Sequence, residues 1–167
     1  MDATSLRALQ RPLKDQYRED PAQAVVTLYA EGRLDGDGVT CTVDTWAGPA
    51  RAGLHPSAGG DGDDACSGDM LLQALAACAG VTLRSVATAL GIQLRDARVR
   101  VAGTFDARGT LGVDRDTAVG LTDVELGFAF DSDANDEQVS RLLDLTERYC
   151  VVAQTLRQPP RLTVTRD

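Results

Sequence analysis

The period of apolar and polar positions changes along this chain, and its longest helical stretch organises the rest. In residues 67–91, SGDMLLQALAACAGVTLRSVATALG, the positions Leu71, Leu75, Cys78, Thr82, Val86 and Leu90 recur at spacings of three and four, one face of a helix. Leu72, Ala76 and Val81 widen that face until most of the circumference is apolar. This predicts a helix buried nearly all round, with Cys78 in the middle of its buried stripe. Ser67 is the expected N-cap, Asp69 places negative charge in the first turn, and Gly91 suits a left-handed C-terminal cap. About 23 residues without Pro make the helix roughly 35 Å long.

Shorter elements surround it. Residues 4–18 are amphipathic through Leu6, Leu9, Leu13 and Tyr17, and Pro21 ends that helix. Residues 24–30 (AVVTLYA) predict a strand, 32–38 (GRLDGDG) a turn, 39–43 the returning strand of a hairpin and 45–52 a third strand. Residues 53–67 form a loop rich in Gly and Asp, long enough to suggest a functional role. Residues 93–106 and 119–130 alternate as strands around a polar turn region at 108–118. A second helix at 135–148 is expected to be capped by Ser132 or Asp133, followed by a short apolar turn at 150–156 and a last strand at 162–165. The order predicts a single α+β domain over residues 1–167, with 1–20 as a helical extension and mostly antiparallel pairing. One 17.7 kDa chain has few elements with which to cover a helix apolar nearly all round. An intertwined homodimer, its antiparallel β-sheets wrapping a pair of long central helices, solves that problem.

Charge and composition narrow the function. A net charge of -8 turns away nucleic-acid backbones and anionic membrane surfaces as partners. The first 20 residues are charged throughout, which predicts no signal peptide, and no run approaches 18 apolar residues, which predicts no membrane span. A cytoplasmic location is expected. Cys41, Cys66, Cys78 and Cys150 are widely spaced without a CxxC pair, the pattern of reduced thiols. The single histidine, His55, excludes the usual His-rich metal sites, and no cofactor is expected. Asp61, Asp63 and Asp64 are read as a solvated loop. Residues 131–136 fail as a calcium loop, because Asp136 occupies its required Gly place and Leu142 its required Glu place.

Read alone, Cys78 is a small hydrophobe of a core helix. A thiolate there works against burial, which raises a thiol pKa, and a mid-helix position gains little from the helix dipole. Reactivity therefore calls for a nearby cation, such as an arginine held by a carboxylate. Cys150, in TERYCVVAQTL, also reads as packing by itself. Two thiols from different elements can be bridged when their Cα atoms come within roughly 7 Å. His55, in GLHPSAGGDG, is either a solvated loop side chain or an orienting and proton-transfer group. Cys66, close to a helix start where a thiolate is favoured, is either an alternative resolving thiol or an incidental small residue. Cys41 alternates with Val39 and Val43 and is read as core.

Together, LLQALAACAGVTL behind the Gly-rich loop GGDGDDACSGD, and ERYCVVAQTL late in the chain, resemble the OsmC/Ohr superfamily. The resemblance runs from about Val25 to the end and is closest to an uncharacterised OsmC-like branch. It implies an intertwined α+β dimer with its helices inside, and reduction of organic hydroperoxides. Cys78 would be the peroxidatic thiolate that becomes a sulfenic acid, Cys150 the resolving thiol, and a dithiol, often lipoyl-type, the reductant that resets the pair. Peroxidase members of the family place a Pro-Glu pair before the helix, and its Glu orients a catalytic Arg. Ser67 and Gly68 stand in those places here, with Asp69 one residue further on as the substitute. Arg33 is the candidate for the family's Arg, Arg51 is its rival, and Val151 stands where a Pro commonly follows the second Cys. The alternative is a non-catalytic homodimer that binds a small hydrophobic ligand in the cleft around Cys78.

Overall fold

The computed structural model describes residues 1–34, 36 and 38–166, in two compact units. The first comprises Met1–Pro21, Ala74–Arg100 and the chain from Gly127 onward; the second comprises Ala22–Gln73 and Val101–Leu126. The element order is α+β, as the periodicity predicts.

The first unit opens with helix α1 (Ala3–Glu19), capped by the Asp2 side chain, which accepts from the Ser5 N–H at 2.8 Å. Helix α2 (Ser67–Leu90) supplies the unit's core from Ala74 on. Its C-terminus closes as the sequence predicts. Gly91 takes φ 72°, its N–H bonds to the Thr88 carbonyl at 3.2 Å, and the Ile92 N–H reaches the Ala87 carbonyl at 2.9 Å. That pair of bonds is the Schellman arrangement, and it satisfies two carbonyls the helix would otherwise leave open. Helix α4 (Asp136–Tyr149; the intervening helical turn α3, Ala107–Thr110, belongs to the second unit) starts from Asn135, not from Ser132 or Asp133. The Asn135 side chain accepts from the Gln138 N–H, and the Gln138 side chain accepts from the Asn135 N–H, a reciprocal capping box. Ser132 instead accepts from the Ala134 N–H.

Leu83 and Ala87 of α2 pack with Leu94 and with Leu142 of α4, and Val86, Leu90, Ile92, Phe128, Phe130 and Leu143 close around them. Buried residues on α2 are Leu75, Ala79, Leu83 and Ala87, one row at every fourth position. The stripe expected through Leu71, Cys78 and Thr82 is therefore displaced, and Cys78 lies beside the buried row, partly exposed. Val81 is 73 % exposed. Within a single chain α2 is buried along one side only. By length and composition α2 would also suffice to cross a membrane, and it carries one buried row at Leu75, Ala79, Leu83 and Ala87. Residues 150–156, expected as an apolar turn, instead form helix α5 (Val151–Arg157), with Cys150 as the residue between α4 and α5. Residues 162–165 form no strand.

The second unit holds a four-stranded sheet in the order β1 (Gly32–Arg33), β2 (Cys41–Thr45), β3 (Gly48–Gly53), β4 (Ala65–Cys66). β1–β2 and β2–β3 are antiparallel and β3–β4 is parallel, with Cys41 opposite Ala52 and Gly53 opposite Cys66. Of the expected turn at 32–38, positions 35 and 37 lie outside the described residues. The strand expected at 24–30 does not form. A short 3-10 turn at Pro21–Ala24 leads into irregular backbone, and Tyr29 is 91 % exposed. The residues have strand propensity but no ladder partner among the described residues. In the loop before α2, a Cβ on Gly60 would lie 1.8 Å from the Leu54 carbonyl oxygen, so only glycine fits there. Strands β5 (Arg95–Thr104) and β6 (Asp123–Asp131) make a second, two-stranded sheet. Between them the predicted polar turn contains α3 (Ala107–Thr110), capped by Asp106.

Candidate active site: the Cys78–Cys150 pair

Cys78 and Cys150 meet within the first unit. The helix around Cys78 is Ala-rich and free of proline, which favours an unbroken α2 through the site. Cys150 ends α4: its N–H bonds to the Thr146 carbonyl at 3.0 Å, and its carbonyl accepts from the Gln154 N–H at 2.9 Å. Thr146 is fully buried, and its hydroxyl donates to the Leu142 carbonyl at 2.7 Å, so no buried polar atom is left open there. Arg157 pairs with Glu147 at 2.6 Å, and the Gln154 amide donates to the Glu147 carbonyl at 2.8 Å, which ties α5 to α4.

The two thiols are free and in hydrogen-bond contact, and their environments differ. Cys150 is fully buried, whereas Cys78 is partly open to solvent. Burial disfavours the Cys78 thiolate, but it is outweighed by hydrogen bonds to the sulfur from the Val152 N–H, the Cys150 thiol, the Val151 N–H and the Thr82 hydroxyl. Cys78 consequently ionises below the ordinary thiol range. For Cys150 burial wins: despite the Ala153 N–H, desolvation and the neighbouring Cys78 sulfur push its thiol up. The pair is thus divided into an accessible sulfur that ionises readily and a buried one that keeps its proton.

The Cys78 thiolate gains support from the start of α5. The first N–H groups of a helix have no partner within it. Cys150 offers no side-chain cap to α5. The N–H groups of Val151 and Val152 are therefore available to the Cys78 sulfur, together with a partial positive charge at the helix start. Nothing in the sequence marks Val151, Val152 or Thr82 as a donor to the sulfur, because 150–156 reads as a turn. A helix beginning directly after the second Cys is the signal that would have found them. The Thr82 hydroxyl has one proton, which in this structure goes to the Cys78 carbonyl at 2.8 Å and can turn to the sulfur when it ionises.

The remaining candidates belong to the second unit. Arg33 forms a two-pronged ion pair with Asp44, its Nη2 2.9 Å from Oδ1. Arg51 Nε donates to Asp64 at 2.5 Å. The carboxylates paired with the two arginines are thus Asp44 and Asp64, while the exposed Asp69 places charge in the first turn of α2. His55 caps the 3-10 turn at Pro56–Ala58: Nδ1 accepts from the Ser57 N–H at 3.1 Å, and the ring meets Phe105 edge-on at 5.3 Å. Nδ1 as acceptor puts the ring proton on Nε2. Cys66 and Cys41 lie partly buried in β4 and β2. The Asp63 N–H bonds to the Asp61 carboxylate, and no cluster of metal-ligating side chains occurs among the described residues.

The family model for OsmC-like protein matches residues 60–165, which includes both cysteines of the pair. The chain belongs to the OsmC-like family. Several solved structures share the fold of this OsmC-like protein. An OsmC-like protein from Mycoplasma pneumoniae has a TM-score of 0.66 at 19% identity, covering 80% of this chain and 89% of that one. An organic hydroperoxide resistance protein from Elizabethkingia anophelis gives 0.63 at 18% identity, covering 81% and 93%. An OsmC-like protein of unknown function from Vibrio cholerae gives 0.63 at 12% identity, covering 78% and 94%. No curated protein matches the chain.

Proposed function

We propose that this OsmC-like protein is a cytoplasmic, homodimeric thiol peroxidase that reduces organic hydroperoxides. The observation that carries the reading is the unequal thiol pair: an accessible, readily ionised Cys78 against a buried, protonated Cys150. The Cys78 thiolate attacks the terminal peroxide oxygen and the O–O bond breaks. The organic fragment takes up a proton and leaves as an alcohol, and Cys78 becomes a sulfenic acid. Cys150 sulfur then attacks the sulfenic sulfur, its proton leaves with the hydroxyl as water, and a Cys78–Cys150 disulfide forms. A dithiol of lipoyl type exchanges with that disulfide and restores both thiols. Arg33 and Arg51, each already oriented by a carboxylate, are the proposed cations for the site, and His55 a proposed proton carrier.

What the chain leaves open supports the dimer. Val25, Val26, Leu28, Tyr29, Trp46 and Val81 are all large, apolar and more than two-thirds exposed. A second copy that covers α2 and pairs with residues 24–30 accounts for their exposure. The two units are then halves of one OsmC-like domain, since α2, β5 and β6 each run through both.

Peptide mapping after cumene hydroperoxide treatment tests the chemistry. One equivalent is expected to yield a Cys78–Cys150 disulfide, and Cys150→Ser is expected to leave a Cys78 sulfenic acid that dimedone traps. Oxidation spread evenly over the four cysteines would defeat the proposal and favour ligand binding without turnover.

A further inference from the structure

We propose that α1 is a docking arm for the acidic surface of a second copy of this chain, an inference that rests on the homodimer reading above. Arg7, Arg11, Lys14 and Arg18 follow one another at spacings of four, three and four, which aligns them in one row along the helix. Leu6, Leu9, Leu13 and Tyr17 line the adjoining side. No residue of α1 is buried and Leu9 is 60 % exposed, so its own chain leaves the apolar side open; within the row Arg18 and Arg11 pair with Asp15 at 2.6 and 3.8 Å, yet both arginines stay largely exposed.

Charge decides what covers them. α1 holds four of the chain's 17 Lys and Arg but only two of its 25 Asp and Glu. The rest of the chain carries thirteen against twenty-three, a net -10 that follows from the same counts. A basic amphipathic helix by itself fits an anionic lipid surface. Here it is attached to a strongly acidic body, which such a surface repels. The acidic body of another copy offers the opposite sign to the row while leaving the net charge of each chain unopposed by lipid. Position agrees with this. α1 lies ahead of the residues matched to the family, 60–165, and leads directly into the open apolar segment 25–29. A second copy that takes that segment carries α1 onto its surface.

The test is sedimentation equilibrium of the full chain at 50 and 500 mM NaCl. Wild type is compared with two fourfold variants at positions 7, 11, 14 and 18. One is Arg7→Glu, Arg11→Glu, Lys14→Glu and Arg18→Glu; the other places Gln at all four positions, which preserves helix propensity. Hydrogen exchange of residues 3–19 is followed at two protein concentrations. Wild type is expected to dissociate at least tenfold more readily at high salt. Both variants are expected to associate at least tenfold more weakly at low salt, and α1 amides to gain protection as concentration rises. Equal dimer affinity in all three proteins, with α1 amides unprotected, would overturn the arm and leave the homodimer standing. A monomer at every concentration would remove both. Flotation with phosphatidylcholine vesicles containing phosphatidylglycerol, seen for wild type and lost in the variants, would assign the helix to a lipid surface and overturn the proposal.

Discussion

Val151→Pro removes one of the backbone donors to the Cys78 sulfur with little other disturbance. Val151 is the first residue of α5 and is 69 % exposed, so its side chain contributes little packing. Proline suits the first helical position, where the missing N–H has no helical partner and φ already fits. The residue before a proline must be extended, and Cys150 already has φ −74° and ψ 105°. A hydrogen bond to a charged acceptor contributes about 1.5–3 kcal/mol. Cys78 is partly solvated and its sulfur keeps the Val152, Thr82 and Cys150 donors, so the lower end applies. A loss of about 1.4 kcal/mol is roughly tenfold in an ionisation equilibrium. Below the titration of Cys78, the variant should therefore hold about tenfold less thiolate and alkylate about tenfold more slowly. The assay is iodoacetamide labelling of the reduced protein from pH 5 to 10, with Cys78 followed by peptide mass spectrometry and folding by circular dichroism. Val151→Ala, which keeps the N–H, should titrate like wild type. A folded Val151→Pro protein with the wild-type profile would refute the assignment of the α5 amides to the thiolate.

Other consequences follow from the packing and charge. Leu142 is fully buried between α4 and α2, so Leu142→Ala should cost about 2–5 kcal/mol in urea unfolding; a loss below about 1 kcal/mol would contradict the described core. Gly60→Ala places a methyl against the Leu54 carbonyl and should destabilise more than Gly120→Ala, where nothing lies nearby; equal unfolding midpoints would count against the loop as described. The Arg108 guanidinium and N–H hold the Asp106 carboxyl down to about 2. A depressed carboxyl stabilises the fold above its unfolded value of about 3.9 and loses that contribution as pH falls toward 2. Carbon NMR should show Asp106 titrating near the lower value, and Arg108→Ala should return it to the ordinary range.

What the sequence made legible divides along physical lines. The α2 boundaries and the Gly91 cap could be read because helix period and a left-handed glycine are local signals. The α2–α4 core row could not, because a helix apolar on most sides does not say which side its neighbours take. Residues 24–30 have strand propensity, but a strand exists only with a partner, and none is present among the described residues. α5 was read as a turn because seven residues, four of them apolar, are too few for a period to show. That single misreading hid the thiolate's donors. The meeting of Cys78 and Cys150 was expected on family resemblance alone, since residues 72 positions apart carry no local signal of contact.

The most direct measurement is stopped-flow oxidation of the fully reduced protein by cumene hydroperoxide at pH 7, with Cys78→Ser and Cys150→Ser in parallel. The account predicts that Cys78 reacts orders of magnitude faster than free cysteine, that Cys78→Ser abolishes the fast phase, and that Cys150→Ser keeps it while losing the disulfide. A Cys78 that reacts no faster than free cysteine would contradict the account at its centre.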